Sequence, residues 1–270
     1  MEKLNTGKDK KSLKQIFNKI DISIHKWENY FKIYEHYLDK YREKKPKFLE
    51  IGVQYGGSLK MWDEFFVNGE IHGIDINPDC KKLEENNIKI HIGSQNDKNF
   101  LRQFAESVKD IDIIIDDGGH TMEQQLNSFK ILFPKIKDGG IYIVEDIESS
   151  YQNMYGGGPK RQGTFVEFSK NIVDYINANH SDFKTLNVNW YSKNVEYVHY
   201  YNNVVVFKKK CIENFPINFR NNSNTTIDNN KKSKVSKVKL LISKFISIIN
   251  RILGYLRIKP LYIGSTSQRL

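Results

Sequence analysis

Between Phe48 and Val144 short apolar runs alternate with stretches of helical period, and that order leaves few architectures open. Phe48–Gly52, Ile71–Ile76, Ile88–Ile92, Ile111–Asp116 and Ile141–Val144 are strand-like. Ser58–Phe66, Phe100–Val108 and Met122–Phe133 are helical, the last stopped by Pro134. Ile113-Ile114-Ile115 and Ile141-Tyr142-Ile143-Val144 carry no alternation, as expected of strands buried on both faces. The pattern predicts a mostly parallel sheet with helices on both faces. A helix over Phe165–Asn177 follows, then Val195–Tyr200 and Val204–Lys208 flank Asn202-Asn203, a hairpin turn that ends the sheet with antiparallel strands. Upstream, Trp27, Tyr30, Phe31, Tyr34, Tyr37, Leu38 and Tyr41 recur at helical spacing, and we read Ile24–Tyr41 as a helix whose aromatic stripe packs on the body.

Charge divides the 270 residues unevenly. The net charge is +10, yet from Lys231 to Leu270 there is no Asp or Glu, whereas that stretch holds ten Lys or Arg. The body is therefore neutral, which argues against nucleic acid as a partner. The two cysteines, Cys80 and Cys211, form no framework and suit a reducing, cytoplasmic setting. The N-terminus has no apolar h-region, and no run of 18 uncharged apolar residues occurs. The expected organisation is an N-terminal helical cap over 1–45, a catalytic domain over 46–215, an Asn/Lys-rich linker over 216–236, a basic amphipathic helix over 237–258 and a tail over 259–270. Two readings of that helix stay open. It lies on an anionic membrane, at the inner face of the cell membrane, or its apolar face docks on protein; the one-signed charge favours the first.

Open α/β sheets bind ligands at the carboxyl ends of their strands. Glu50-Ile51-Gly52 closes the first strand and Gly56-Gly57 opens the next helix, but Gln54 stands where a dinucleotide fingerprint needs glycine. An acidic residue before such a loop suits a ligand with a cationic part and no phosphate. Asp75, at the end of the second strand, can accept ribose hydroxyls, and Ser94-Gln95 can hold an adenine edge. Asp116 is assigned to the cofactor side. Glu50, Gly52, Gly56, Asp75, Ser94, Gln95 and Asp116 are thus the candidate cofactor residues.

The next two strand ends read Asp116-Asp117-Gly118-Gly119-His120 and Glu145-Asp146-Ile147-Glu148-Ser149-Ser150-Tyr151. Alone, the first could be a turn and helix cap. Together with Leu49–Val53, Gly73–Ile76 and Gly93–Asp97 they resemble the mycinamicin-type macrolide and sugar O-methyltransferases, over roughly residues 20–210. The resemblance implies a class I, Rossmann-like methyltransferase fold that uses S-adenosylmethionine and Mg²⁺ or another divalent cation, acts on a sugar or glycan hydroxyl and assembles as a homo-oligomer. It implies Asp117, Glu145 and Asp146 as metal ligands and His120 as general base. This chain has Gly119 where the family commonly has Ser, and Ser94 where it commonly has Asp. Three carboxylates on adjoining strand ends suit a hard cation, and a sugar hydroxyl held there becomes easier to deprotonate. Tyr151 and Tyr155, beside the Gly156–Gly158 loop, are candidate acceptor contacts. Rival readings are methylation of a catechol-like diol, methylation of RNA, and a non-catalytic membrane-bound module.

Overall fold

The computed structural model describes residues 10–213 and 237–261, with side chains from 241 onward in the second stretch. These fall into two compact units. One comprises the described residues up to Asn179 together with Val188–Glu213; the other joins His180–Asn187 to the C-terminal stretch. The expected linker, 216–236, and most of the tail beyond Leu261 lie outside the described residues.

The first unit is built on a seven-stranded sheet in the order β3-β2-β1-β4-β5-β7-β6. Strands β1 (Lys47–Ile51), β2 (Glu70–Asp75), β3 (Ile88–Ile92), β4 (Ile111–Asp116) and β5 (Ile136–Val144) are parallel; β7 (Val204–Lys209) pairs antiparallel with both β5 and β6 (Val195–Tyr201). The sheet sorts its side chains by parity. Ile113 and Ile115 join Phe48, Trp62, Ile141 and Ile143 on one face. Ile114 joins Leu49, Phe129, Tyr142 and Val144 on the other. Helices α1 (Leu13–Phe17), α2 (Glu28–Leu38) and α3 (Gly57–Phe65) serve the first layer; α4 (Lys98–Ser107), α5 (Met122–Leu132) and α6 (Phe165–Ile176) serve the second. Asp97, Thr121 and Thr164 cap the last three, Thr121 in a capping box with Gln124. A short helix, α7 (Trp190–Asn194), leads into β6.

The largest departure from the sequence reading is at the N-terminus. The helix expected from Ile24 begins at Glu28, and residues 18–27 run as an irregular strap. Near its end Lys26 enters the body to pair with Asp117 and Glu145, and the helix starts after Trp27, whose backbone is extended. Helix α1 was not anticipated; Ser12 and Gln15 cap it reciprocally, and only Leu13 and Ile16 are buried. Strand β5 starts five residues before Ile141, where a register shift opposite Ile111–Ile113 accommodates Gly139 and Gly140.

In the second unit, α8 (Lys237–Tyr255) ends three residues short of the expected 258. Phe183 packs edge-on against Tyr255 within this unit. No described helix is long and apolar enough to cross a membrane.

Candidate active site

Register brings the acidic residues together. Ile51 pairs with Asp116, and Asp116 with Val144. The next residues, Gly52, Asp117 and Glu145, therefore emerge side by side where the strand order reverses between β1 and β4. Backbone bonds hold them there: Asp117 N donates to the Ile51 carbonyl (3.0 Å) and Glu145 N to that of Asp116 (3.0 Å). Gly52 has φ +95, and a Cβ on it would run into the Asp117 carbonyl, so glycine is required for this approach. His120 (φ +56) and Asp146 (φ +51) both sit in left-handed backbone, a conformation non-glycine residues adopt at some cost and often at sites of function.

A cavity of about 940 Å³ opens over these strand ends. Asp75 and Ser94 line one end, His120 and Asp146 the other, with Gly52 and Gln95 between. The size falls within the range of sites for nucleoside-sized molecules. Asp75 is shaped by the loop it faces: Oδ2 accepts from Val53 N (2.9 Å) and Gln54 N (3.0 Å), and Oδ1 from Asn77 N (2.8 Å). The strap crosses the cavity, Ser23 through Trp27 facing it.

At the acidic end, the Asp117, His120 and Asp146 ligand atoms all lie within 4.8 Å of one another. His120 Nε2 is 3.8 Å from Asp117 Oδ1 and 3.7 Å from Asp146 Oδ2, too far for hydrogen bonds and open enough for a cation between them. The buried His120 Nδ1 has no partner. Asp146 is held from outside the motif, Oδ1 accepting from Tyr30 OH (2.6 Å) and Asn203 Nδ2 (3.2 Å).

Glu145, expected as a metal ligand, borders the cavity, is fully buried and is bonded by Lys26 and Tyr34. The Lys26 ammonium lies 2.6 Å from Asp117 Oδ2, 2.9 Å from Glu145 Oε2 and 3.4 Å from Glu50 Oε1. The Tyr34 hydroxyl donates to the other oxygen of Glu145. Burial, with repulsion from Asp117, pushes the Glu145 carboxyl well above its usual range against the pull of Lys26. Burial alone would push Lys26 down, but Asp117, Glu145 and Glu50 hold it well above. Three carboxylates (Glu50, Asp117 and Glu145) thus meet one ammonium while Asp146 has none, a deficit that a divalent cation beside Asp117 and Asp146 would relieve.

Three expected cofactor residues do not face the cavity. Glu50 is fully buried and accepts from Ser58 Oγ (2.6 Å) and Trp62 Nε1 (3.4 Å), because α3 packs directly over it. Gly56 (φ +80) makes the turn into α3 against the Leu83 side chain. Asp116 points into the core, accepting from Gln95 Nε2 (2.7 Å), Ser128 Oγ (2.7 Å) and Tyr142 OH (3.0 Å); burial raises it to about 6 despite those bonds. Gln95 spans both roles, since it lines the cavity while its Oε1 accepts from Gly119 N (3.1 Å). Tyr155 packs edge-on against the His120 ring at 6.4 Å, and Tyr151 faces a separate hollow.

The family described as a methyltransferase domain matches residues 49–147. Over that span the chain is similar to a methyltransferase domain, and its seven-stranded sheet has the Rossmann-like methyltransferase fold. The chain is 34% identical over 189 residues to mycinamicin VI 2''-O-methyltransferase of Micromonospora griseorubida, covering 65% of this chain and 47% of that protein. It is 36% identical over 158 residues to a rhamnosyl-tetracenomycin-C 3'-O-methyltransferase of Streptomyces olivaceus, covering 55% of this chain and 40% of that protein. It therefore spans about half the length of these curated relatives, or less. The solved structure of the mycinamycin-pathway methyltransferase MycE, in complex with Mg and SAH, superposes with a TM-score of 0.69 at 31% identity, over 76% of this chain and 56% of that one.

The matched span of the methyltransferase domain contains both acidic motifs, but Lys26, Tyr30, Tyr34 and Asn203 lie outside it. Sequence reasoning missed Lys26 and Asn203, and it weighed Tyr30 and Tyr34 against the site but favoured core packing. The tyrosines were indistinguishable from the rest of an apolar stripe, Asn203 signalled only a turn, and nothing in the local sequence marks Lys26.

Proposed function

We propose that this chain transfers a methyl group from S-adenosylmethionine to a hydroxyl of a sugar or glycan precursor, assisted by a divalent cation. The observation that carries this reading is a single cavity with Asp75 and Ser94 at one end and the Asp117–His120–Asp146 cluster at the other. Relatives named as sugar O-methyltransferases of macrolide and tetracenomycin compounds support the acceptor class.

Asp117 and Asp146 fit a hard cation, two carboxylates with a gap between them, and His120 stands beside both, left free to act as a base. When bound, S-adenosylmethionine supplies an electrophilic methyl, and the cation lowers the pKa of a hydroxyl beside it. Asp75 faces the ribose end of the cavity, where its remaining lone pairs can accept hydroxyls. Tyr30 and Asn203 fix Asp146, and Lys26 holds Asp117 and Glu145 in place. His120 takes the proton released by the acceptor hydroxyl. Direct displacement leaves no covalent link to the protein, so the chain's task is to position and to exclude water.

Labelled S-adenosylmethionine incubated with rhamnosides, nucleotide sugars and glycans, with and without EDTA, tests this. Transfer should require the cation, and Asp146→Asn should abolish both transfer and the Mg²⁺-induced rise in melting temperature. Transfer that is indifferent to EDTA would remove the cation from the reading.

The basic helix carries a second assignment, to an anionic membrane surface. Leu241, Phe245, Ile248 and Ile252 are exposed on α8, beside Lys244 and Arg251, with no acidic residue on the helix.

A further inference from the structure

Beyond the catalytic cavity the methyltransferase domain has a second hollow, of about 450 Å³, between the segment that follows Asp146 and the tip of the β6–β7 hairpin. Glu148, Tyr151, Lys170, Tyr200, Tyr201 and Asn202 are among its walls. It is tied to the acidic end of the main cavity. Ile147 and Glu148 continue the chain from Asp146, and Asn203, another wall, donates through Nδ2 to Asp146 while its Oδ1 accepts from Glu148 N (2.9 Å).

The lining has a definite chemistry. Tyr151 is 52% exposed and Tyr200 40%, large aromatic surface left open to solvent beside a polar site. Glu148 Oε2 is buried with no hydrogen-bond partner, an acceptor that costs free energy until a donor reaches it. Lys170 is paired with Glu167 at 2.6 Å, so its charge is already answered. Aromatic faces with a free carboxylate oxygen and the exposed Asn202 suit a neutral ring that offers C–H faces and hydroxyl donors together. An anionic group would be repelled by Glu148, and a purely apolar one would leave its oxygen unpaired.

We infer that this hollow is a subsite for a second sugar ring, next to the ring that is methylated. The inference rests on the function proposed above and extends it: the acceptor is at least a disaccharide or an equivalent glycoside. Calorimetric titration of the full chain, with and without S-adenosylhomocysteine and Mg²⁺, tests it. The probes are dirhamnose, maltose, cellobiose and lactose, each against its methyl monosaccharide. At least one disaccharide should bind about 10-fold more tightly than its monosaccharide, equivalent to ~1.4 kcal/mol. Tyr151→Ala and Glu148→Gln should each cut that advantage to about 2-fold or less. Equal affinity for every pair, no sugar binding at all, or an advantage kept in both variants overturns the subsite. Titration of S-adenosylhomocysteine alone is scored separately. Its failure in wild type would sink the methyl-transfer reading while leaving the disaccharide preference to be judged, and its retention in each variant shows that the domain is folded.

Discussion

Lys26 is the residue on which the acidic site turns. Its ammonium is buried among Glu50, Asp117 and Glu145, and its loss would strand two fully buried carboxylates. Breaking such a cluster by removing one partner is far costlier than replacing the whole cluster with apolar groups. Lys26→Met should lower unfolding stability by about 3–5 kcal/mol, read by chemical denaturation at neutral pH. A loss near that of an ordinary surface change, below ~0.5 kcal/mol, would mean that the ion cluster is not stabilising. The acids themselves were legible, because carboxylates at successive strand ends have few other uses. Their separate duties were not. Glu145 and Asp146 are neighbours in sequence and both border the cavity, yet the left-handed turn at Asp146 separates them: Glu145 is fully buried against Lys26, and Asp146 turns to Tyr30 and Asn203.

At the scale of elements, the β6–β7 hairpin shows how a turn signal can conceal a second role. Asn202-Asn203 reads as a hairpin tip, and Asn203 indeed has φ +69. The same side chain donates to Asp146 and accepts from Glu148 N. Backbone and side-chain roles separate by substitution. Asn203→Gly should keep the turn and cost little stability, whereas Asn203→Ala should cost about 1 kcal/mol more. Both should weaken Mg²⁺ binding, measured by titration in the absence of S-adenosylmethionine; unchanged affinity in both would exclude Asn203 from positioning Asp146. Parallel strands were readable because their apolar runs are unbroken, and helix ends because Asp97, Thr121 and Thr164 announce them. The strap was not, since its aromatic spacing continues that of α2 without interruption.

The sheet edge at β2–β3 carries a titration of its own. His72 Nδ1 lies 3.0 Å from His91 Nε2, and burial, with the charge of His91, lowers His72 from 6.5 to about 4. The native state thus keeps His72 neutral where the unfolded chain would protonate it. This contribution is fully present above about pH 6.5 and is lost as pH falls toward 4. The loss between pH 7 and 5 should be on the order of 1 kcal/mol. Denaturation curves of wild type and His72→Phe at the two pH values would check it; a slope equal in both would refute it.

For the whole molecule, charge and catalysis are carried by different parts. The neutral body holds the cavity, and the basic excess lies from Lys231 onward. If α8 lies on membranes through its apolar side, Phe245→Glu in the full chain should reduce sedimentation with vesicles containing phosphatidylserine by about 10-fold, while binding of S-adenosylhomocysteine stays as in wild type. Equal sedimentation of the two proteins would dismiss the membrane assignment.

The strap also has a meaning for how this domain is bounded. Residues 49–147 contain Glu50, Asp117 and Glu145, but the ammonium that reconciles them arrives from position 26. Excised alone, that span would keep the acids and lose their only neighbouring ammonium among the described residues, leaving mutual repulsion at the centre of the site. The working boundary of the fold is therefore drawn by electrical neutrality and begins upstream of the first strand.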